Sequence, residues 1–251
     1  DYAGLPAELH AVRRLAKKHA LVFIEDAAQG LGASYKGKKV GALADMTMFS
    51  FHPVKSITTG EGGAILTNNR SYYEKLIMFR THGLTRDPRK LKNKTHASWH
   101  QEMQLLGYNY RLTDIQAALG TSQMKKLDRF IKARRAAAKR YFELLADVPG
   151  VKLPPRTGFK NSACHLFVIR VDKHIRDSVF EALRAAGIGV QVHYLPVYLH
   201  PYYATLGYRE GLCPSAEAYA AQEISIPLYP TITRRDQEYV VKKIRDIIGK
   251  M

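Results

Sequence analysis

Two spacings of hydrophobic residues alternate along the first part of the chain. Apolar residues recur at helical spacing over residues 7–19, where Leu9, Val12 and Leu15 fall on one face. A short apolar run at residues 21–24 follows and predicts a buried strand. The same patterns predict three further elements before residue 81: strands at 46–51 and 60–68 and a helix at 71–80. Helices that alternate with short strands are typical of an α/β fold.

The second part of the chain repeats this alternation after a polar segment. Residues 85–100 lack apolar periodicity and predict a loop. A long helical pattern covers residues 113–146, and Thr113 with Gln116 predicts a capping box at its start. The later predicted elements are strands at 165–171 and 188–194 and helices at 175–186, 214–222 and 233–248. This order predicts two domains, a large one over residues 1–129 and a small α/β domain over residues 130–251.

Composition narrows the class of protein. The chain has 251 residues, of which 46% are hydrophobic, so it can bury a core without disulfide bonds or a bound metal ion. Its two cysteines do not make a disulfide framework, and no apolar run reaches the roughly 18–20 residues of a membrane span. We therefore predict a cytoplasmic protein that does not bind a membrane.

Charge indicates an anionic partner without specifying it. The net charge is +17, which is compatible with nucleic acid or with phosphorylated small molecules. No nucleic-acid-binding motif accompanies the charge, so we predict that the chain does not bind nucleic acid. The histidines lack the spacing of metal ligands, and we predict no metal site.

Asp26 and Lys55 are the first candidates for chemistry. Each follows a predicted strand, and ligands of open α/β sheets bind beyond the carboxyl ends of the strands. For an isolated carboxylate and lysine, a structural ion pair is the more common explanation. The residues around this pair make a functional role the better explanation.

The segments around Asp26 and Lys55 form an ordered motif. It contains Asp26, Gln29, Ser50 and Lys55 in sequence, followed by a Glu-Gly-Gly turn at residues 61–63. This order and spacing resemble the cofactor segment of the DegT/StrS family of sugar aminotransferases. The resemblance covers nearly the whole chain. It implies an α/β fold of the fold-type-I aminotransferases, with pyridoxal phosphate (PLP) as cofactor.

The resemblance assigns a role to each residue of the motif. It implies that Lys55 bonds covalently to PLP and then moves the proton during transamination. It places Asp26 at the pyridine nitrogen, Gln29 beside the ring and Ser50 at the cofactor phosphate. A lysine with this function needs a depressed pKa. The Glu-Gly-Gly turn either lets the backbone pass close to the cofactor or is an ordinary strand connection.

Two further segments resemble parts of the family that lie at the subunit interface and beside the substrate. Within residues 107–112, Asn109 is expected to reach the cofactor phosphate bound by the other subunit, which implies a homodimer. Arg111 is expected to support that loop or the interface, and we count it among the substrate-binding candidates. His193 and Tyr194 are expected to face the sugar nucleotide, with His165 in the same wall. A packed strand-to-loop transition explains residues 192–203 equally well.

Residues 98–107 and 192–203 resemble the UDP-4-amino-4,6-dideoxy-N-acetyl-β-L-altrosamine transaminase group. That group aminates C4 of a UDP-linked 4-keto-6-deoxy amino sugar with L-glutamate, in the pathway to pseudaminic acid. The alternatives are a UDP-4-amino-4-deoxy-L-arabinose aminotransferase, another PLP-dependent sugar enzyme, and a non-catalytic binding protein. By this resemblance we also expect a family segment of about a hundred residues or more to precede residue 1, and little activity without it.

Overall fold

The first 80 residues form two helices and five short strands. In the computed structural model, which describes residues 1–93 and 97–251, these elements are α1 (Leu9–Lys18), β1 (Ile24–Asp26), β2 (Ser34–Tyr35), β3 (Lys38–Lys39), β4 (Met46–Ser50), β5 (Gly63–Leu66) and α2 (Arg70–Phe79). The predicted helix at residues 7–19 is confirmed, but Val12 and Leu15, which share a face with Leu9, are exposed. Leu9 is the residue of that face that enters the core.

β1, β4 and β5 make a three-stranded sheet that positions the motif. β1 pairs with β4 in parallel, with Asp26 opposite Met48, and β4 pairs with β5 in an antiparallel arrangement. Because β1 and β4 run in the same direction, Asp26 and Ser50 end their strands at the same edge of the sheet. The strand predicted at residues 21–24 was placed too early, since β1 extends to Asp26.

The middle of the chain contains one short ribbon and two consecutive helices. These elements are β6 (Leu84–Thr85), β7 (Glu102–Met103), α3 (Asp114–Met124) and α4 (Leu127–Leu144). The antiparallel pair β6–β7 encloses the predicted loop at residues 85–100, of which residues 94–96 lie outside the described part of the chain. The capping box of Thr113 and Gln116 is confirmed. The single helix predicted over residues 113–146 was wrong, because α3 ends at Met124 and α4 begins at Leu127.

The last part of the chain forms a two-stranded ribbon with helices packed on it. Its elements are β8 (Phe167–Arg170), α5 (Arg176–Ala185), α6 (Pro201–Ala204), α7 (Pro214–Ala220), β9 (Glu223–Ile226) and α8 (Arg234–Ile248). β8 and β9 pair in an antiparallel arrangement, and α8 packs against α4 and α5. Fully buried side chains of this core include Tyr141, Ile169, Leu183, Ile224 and Ile244.

The strand predicted at residues 188–194 was wrong. In this segment the structure shows one bridge, between Gln191 and Ser225, and β8 pairs with the other edge of β9. β9 itself was missed, since its four residues follow directly on the predicted helix at 214–222. Tyr194 therefore lies in a loop rather than in a strand. The domain boundary near residue 130 stays a prediction.

Candidate functional site

Lys55 lies on a loop that is closed at its base. The Phe51 backbone N–H donates to the carbonyl of Gly62 at 2.8 Å, and the Thr59 N–H donates to the carbonyl of Phe51 at 3.0 Å. The residues that follow Lys55 anchor the loop, since Ile57 and Thr59 are each 2% exposed. Lys55 itself is half-buried. These hydrogen bonds and buried residues fix the base of the loop that carries Lys55.

Helix α3 fixes the base of this loop. The Thr59 hydroxyl and the Gln116 side-chain amide both donate to the carbonyl oxygen of Glu61, at 2.7 and 2.9 Å. A Cβ at Gly120 would lie 2.9 Å from Thr59 Cγ2, and one at Gly62 would lie 2.3 Å from Thr59 Oγ1. In this structure the Glu-Gly-Gly turn thus approaches Thr59 closely. Glycine is needed at position 62 also because its φ is +154°.

Lys55 lies among titratable side chains from distant parts of the chain. Partial burial lowers the pKa of the Lys55 amine, while the nearby Asp26 carboxylate acts in the opposite direction. Burial and the charge of Lys55 lower the pKa of His193. Burial, and next the charges of Lys55 and Arg134, lower the pKa of His165 to about 3. The structure therefore brings Asp26, Lys55, His165 and His193 together, and His165 is neutral at pH 7.

The first four residues contact several members of this group, a connection that the sequence analysis missed. The Asp1 nitrogen donates to the Asp26 carbonyl at 2.8 Å, and the Ala3 N–H donates to Gln29 Oε1 at 2.6 Å. The Ala3 carbonyl accepts from the His165 N–H at 3.0 Å. Gly4, with φ of +90°, allows this approach, since a Cβ there would lie 2.8 Å from the His165 nitrogen. A glycine two residues after Tyr2 is too common a pattern to have indicated such a contact.

A cavity adjoins the histidine side of the group. It has a volume of about 280 Å³ and is lined by Tyr2, His193, Tyr194, Pro196, Ala216, Tyr219 and Ala220. The Tyr194 side chain is 59% exposed at this cavity. The lining is mostly aromatic and aliphatic, which is typical of a pocket for a small molecule.

The other predicted site residues are Ser50, at the same sheet edge as Asp26, and Asn109 and Arg111. Ser50 ends β4, and its hydroxyl accepts from the His52 N–H at 3.3 Å. Asn109 makes a backbone bridge to Thr81, and the side chains of Asn109 and Arg111 are exposed. Within residues 1–93 and 97–251, no hydrogen bond or ion pair joins Asn109 or Arg111 to Lys55. Their predicted roles at an interface stay predictions.

Two carboxylates, of Glu102 and Glu74, contact residues 90–93 of the polar segment between β6 and β7. The Glu102 carboxylate accepts from the backbone N–H groups of Lys92 and Asn93, each at 2.7 Å, which lowers its pKa to about 2. The Lys90 ammonium contacts the Glu74 carboxylate of α2 at 2.5 Å. In the parts of the chain that are described, no group of three or more potential ligands is arranged for a metal ion, and no helix is long and apolar enough to cross a membrane.

Comparison with known proteins confirms the resemblance. The model of the DegT/DnrJ/EryC1/StrS aminotransferase family matches residues 1–245, and the chain belongs to this family. A Campylobacter jejuni protein named UDP-4-amino-4,6-dideoxy-N-acetyl-beta-L-altrosamine transaminase is 37% identical over 257 residues, which cover 100% of this chain and 65% of that protein. The chain thus spans about two thirds of the length of this relative.

Solved structures confirm the predicted α/β fold class. Helicobacter pylori PseC, described as an aminotransferase involved in the biosynthesis of pseudoaminic acid, superposes with a TM-score of 0.91 at 34% identity, covering 100% of this chain and 66% of that one. Streptococcus pneumoniae Spr1654, in a structure described as its PLP-form, superposes with a TM-score of 0.85 at 26% identity, covering 99% and 67%. Family membership indicates PLP as the cofactor.

The residues of the site fit this cofactor. In the described residues the Lys55 amine donates no hydrogen bond to the protein, and partial burial favours its neutral, nucleophilic form. Asp26 supplies a carboxylate of the type that PLP enzymes place at the ring nitrogen. Among the described residues the buried Nδ1 atom of His165 has no hydrogen-bond partner, so it is a polar atom available to a bound group. The amine and the carboxylate are groups that PLP enzymes use to hold and tune the cofactor.

Proposed function

We propose that this chain carries the catalytic lysine of a PLP-dependent aminotransferase that acts on a nucleotide-linked keto-sugar. One observation carries the proposal. The Lys55 amine is half-buried with a lowered pKa, beside Asp26 and two histidines, one of them with its pKa lowered to about 3. An ordinary surface ion pair would instead be exposed and would keep its lysine charged.

Each residue has a separate task in this mechanism. When bound, PLP supplies an electron sink for the bonding electrons of the substrate carbon. Asp26 holds negative charge at the end of β1, and it would keep the ring nitrogen protonated there. Lys55 would bond to the cofactor through Nζ, and once the amino group of the donor replaces that bond, Nζ would be free to take a proton from one carbon and return it to another. Gln29 and Ser50 would orient the ring and the phosphate.

Partial burial lowers the pKa of Lys55, which favours the neutral amine that can accept a proton. The neutral His165 ring adds a hydrogen-bonding atom without adding positive charge that would repel the protonated lysine. The loop 51–62 keeps the amine in place, because its buried anchor residues cannot move without opening the core.

For the substrate we propose a UDP-linked 4-keto-6-deoxy amino sugar, aminated at C4 with L-glutamate as donor in the pathway to pseudaminic acid. The names of the Campylobacter and Helicobacter proteins support this substrate class. The cavity beside His193 and Tyr194 is where the sugar would bind, with Arg111 as a further contact. The alternative is an aminotransferase that makes UDP-4-amino-4-deoxy-L-arabinose, or another PLP-dependent sugar-modifying enzyme. The cytoplasmic location stays a prediction.

We also propose that the active protein is a homodimer in which Asn109 reaches the cofactor of the other subunit. The surface around Asn109 supports an interface, because Leu106 is 79% exposed, Tyr110 72% and Ile115 84%. Exposed apolar side chains that cluster in this way mark protein interaction surfaces. Asn109 stands within this patch, as a shared site would require.

Reduction with borohydride tests the catalytic lysine. We expect the protein with added PLP to show a visible absorption band that borohydride removes, and peptide mapping to find the pyridoxyl label on Lys55. The Lys55→Ala variant should lose the band and the label, because Lys55 is the half-buried lysine beside the Asp26 carboxylate. The control variant Lys139→Ala alters a lysine whose side chain is 75% exposed, and it should keep both. A label that persists in Lys55→Ala would overturn the proposal.

Light scattering tests the dimer. We expect Ile115→Arg to produce monomers, because an arginine in a buried interface leaves an unpaired charge there. Leu206→Arg, at a residue 59% exposed outside the patch, should leave the dimer intact. A wild-type protein that is monomeric at micromolar concentration, or a dimer that persists in Ile115→Arg, would contradict the proposed interface.

A further inference from the structure

His193 lies in a half-buried loop that follows the bridge between Gln191 and Ser225 of β9. Within residues 1–93 and 97–251, no backbone–backbone hydrogen bond uses the N–H or the carbonyl of His193. Backbone polar groups that are withdrawn from water need hydrogen-bond partners. At His193, side chains must therefore supply them.

Two side chains from distant segments meet this need. The His193 N–H donates to Glu223 Oε1, and the His193 carbonyl accepts from the Tyr2 hydroxyl at 2.8 Å. The ring is held as well, because its Nδ1 atom lies 2.8 Å from the Ser225 hydroxyl oxygen. The backbone of His193 is thus fixed on both sides by side chains, one of which lies 191 positions away in the sequence.

Glu223 is buried around its contact with His193. It is 0% exposed, and its Oε2 atom has no hydrogen-bond partner in the part of the chain that is described. A buried carboxylate costs free energy unless it is hydrogen-bonded. The His193 N–H offsets part of this cost at Oε1, so the two residues stabilise each other.

Tyr2 joins His193 to residues on the cofactor side of the site. The N–H of the next residue, Ala3, donates to Gln29 Oε1 at 2.6 Å. The Ala3 carbonyl accepts from the His165 N–H at 3.0 Å. The Tyr2 hydroxyl therefore ties the His193 backbone to a segment that also contacts Gln29 and His165.

The same contacts border the cavity of about 280 Å³. Tyr2, His193, Tyr194 and Tyr219 all line it. The rings of Tyr2 and Tyr219 pack edge to face, with 5.8 Å between their centroids. Tyr194 follows His193 directly, and its side chain is 59% exposed. A shift of the His193 backbone would therefore move two residues of the cavity wall at once.

We propose that Tyr2 and Glu223 are positioning residues, which hold the His193 backbone from both sides and so keep the His193 and Tyr194 side chains in place for the sugar of the substrate. This inference rests on the proposed function, because that function places the sugar in this cavity. Loss of either contact should weaken the binding of the sugar nucleotide. The reaction with L-glutamate should not change, since this donor has no sugar or nucleotide.

Calorimetric titration measures the binding without catalysis. The probe is UDP-N-acetylglucosamine, a UDP-linked amino sugar that has no ketone to aminate. Tyr2→Phe keeps the ring and removes the hydroxyl, and we expect Kd to rise about 5-fold, as for one lost hydrogen bond. The matched control is Tyr239→Phe. It removes a hydroxyl that donates to the Ala186 carbonyl at 2.9 Å, from a side chain 46% exposed against 41% for Tyr2, and should leave Kd unchanged.

Two substitutions of Glu223 separate its acceptor oxygen from its charge. Glu223→Gln keeps an oxygen that can accept from the His193 N–H, and it should bind the probe nearly as tightly as the wild type. Glu223→Met has a similar size but no acceptor, and its Kd should rise about 5-fold. Thermal unfolding shows that each variant is folded before it is titrated. A normal Kd in Tyr2→Phe, or a Glu223→Gln variant that binds as weakly as Glu223→Met, would overturn the proposal.

Kinetics separates this inference from the proposed function. In the protein loaded with PLP, Tyr2→Phe should raise KM for the UDP-linked 4-keto-6-deoxy amino sugar about 5-fold with little change in kcat. The rate at which L-glutamate removes the visible band should equal that of the wild type. A wild type without the pyridoxyl label on Lys55 would contradict the proposed function. A labelled wild type, with an unchanged KM in Tyr2→Phe, would exclude the positioning role alone.

Discussion

The region that stabilises this chain and the region that carries its lysine differ in how they are buried. The largest cluster of buried hydrophobic residues begins at Ala137 and extends to Ile244, around the β8–β9 ribbon. Asp26 and Lys55 lie in the region before it, whose buried clusters are smaller. There the three-stranded sheet leaves Ile24 61% exposed and Ile65 49% exposed.

This difference separates stability from chemistry along the sequence. Removing a buried side chain from the later region should loosen its core and lower the free energy of unfolding. The earlier region holds its reactive groups on loops and strand ends. The two histidines of the site belong to the later region, so the site is assembled where the two regions meet. Substitutions should therefore divide into those that change unfolding and those that change reactivity.

The largest effect should come from the core of the later region. Leu183 is fully buried, and Leu183→Ala should lower the free energy of unfolding by about 3 kcal/mol, because it leaves a cavity. Ile65→Ala, in the exposed face of the sheet, should cost about 0.5 kcal/mol or less. Urea unfolding of both variants measures the contrast. Equal losses would show that the sheet face is covered in the protein.

Asp26→Asn tests the reactive side of the comparison. The variant keeps the shape of the side chain but removes the charge that favours the protonated form of Lys55, so the pKa of Lys55 should fall further. It would also remove the proposed partner of the ring nitrogen, and we expect activity to fall by about 10²-fold. Unfolding in urea should change little, since Asp26 is exposed. A variant with normal activity would exclude Asp26 from the mechanism.

The smallest effect should be a pH dependence that originates in His165. Its pKa is about 3 in the folded chain and about 6.5 when unfolded, so acid protonates the unfolded state first. The stability that the neutral ring contributes is thus present above pH 6.5 and is lost as the pH falls, by about 1 kcal/mol between pH 7 and pH 5.5. Unfolding of the wild type and of His165→Leu at both pH values measures it. The variant should lack this part of the acid destabilisation, and equal slopes would contradict the assignment.

The sequence predicted the parts of the fold whose signals are local. Strand β4, the helices α2, α5 and α8, and the capping box at Thr113 followed from spacing and from cap residues. These features depend on residues that are close together in the sequence. The placement of Asp26 and Lys55 behind two strands is a longer-range prediction, of which the structure shows that Asp26 ends β1, the parallel neighbour of β4.

The features that were missed depend on long-range pairing. Strand β9 forms by pairing with β8, which precedes α5 in the chain, and residues 188–194 contact β9 only through the bridge of Gln191 to Ser225. The contacts of Ala3 with Gln29 and His165 join residues 26 and 162 positions apart. The Glu223 and Ser225 contacts with His193 likewise have no local signal, since they appear only once β9 is in place.

The packing of Thr59 has a consequence for how this family segment can vary. Exposed positions at the tip of the loop, such as Pro53 and Val54, have room for almost any side chain. Gly62 and Gly120 have none, because both face Thr59 at distances that a single methyl group would violate. In a library of random variants selected for activity, the tip should accumulate diversity while these two glycines stay unchanged. The freedom of the chain to evolve around its lysine is thus limited by a threonine that takes no part in the chemistry.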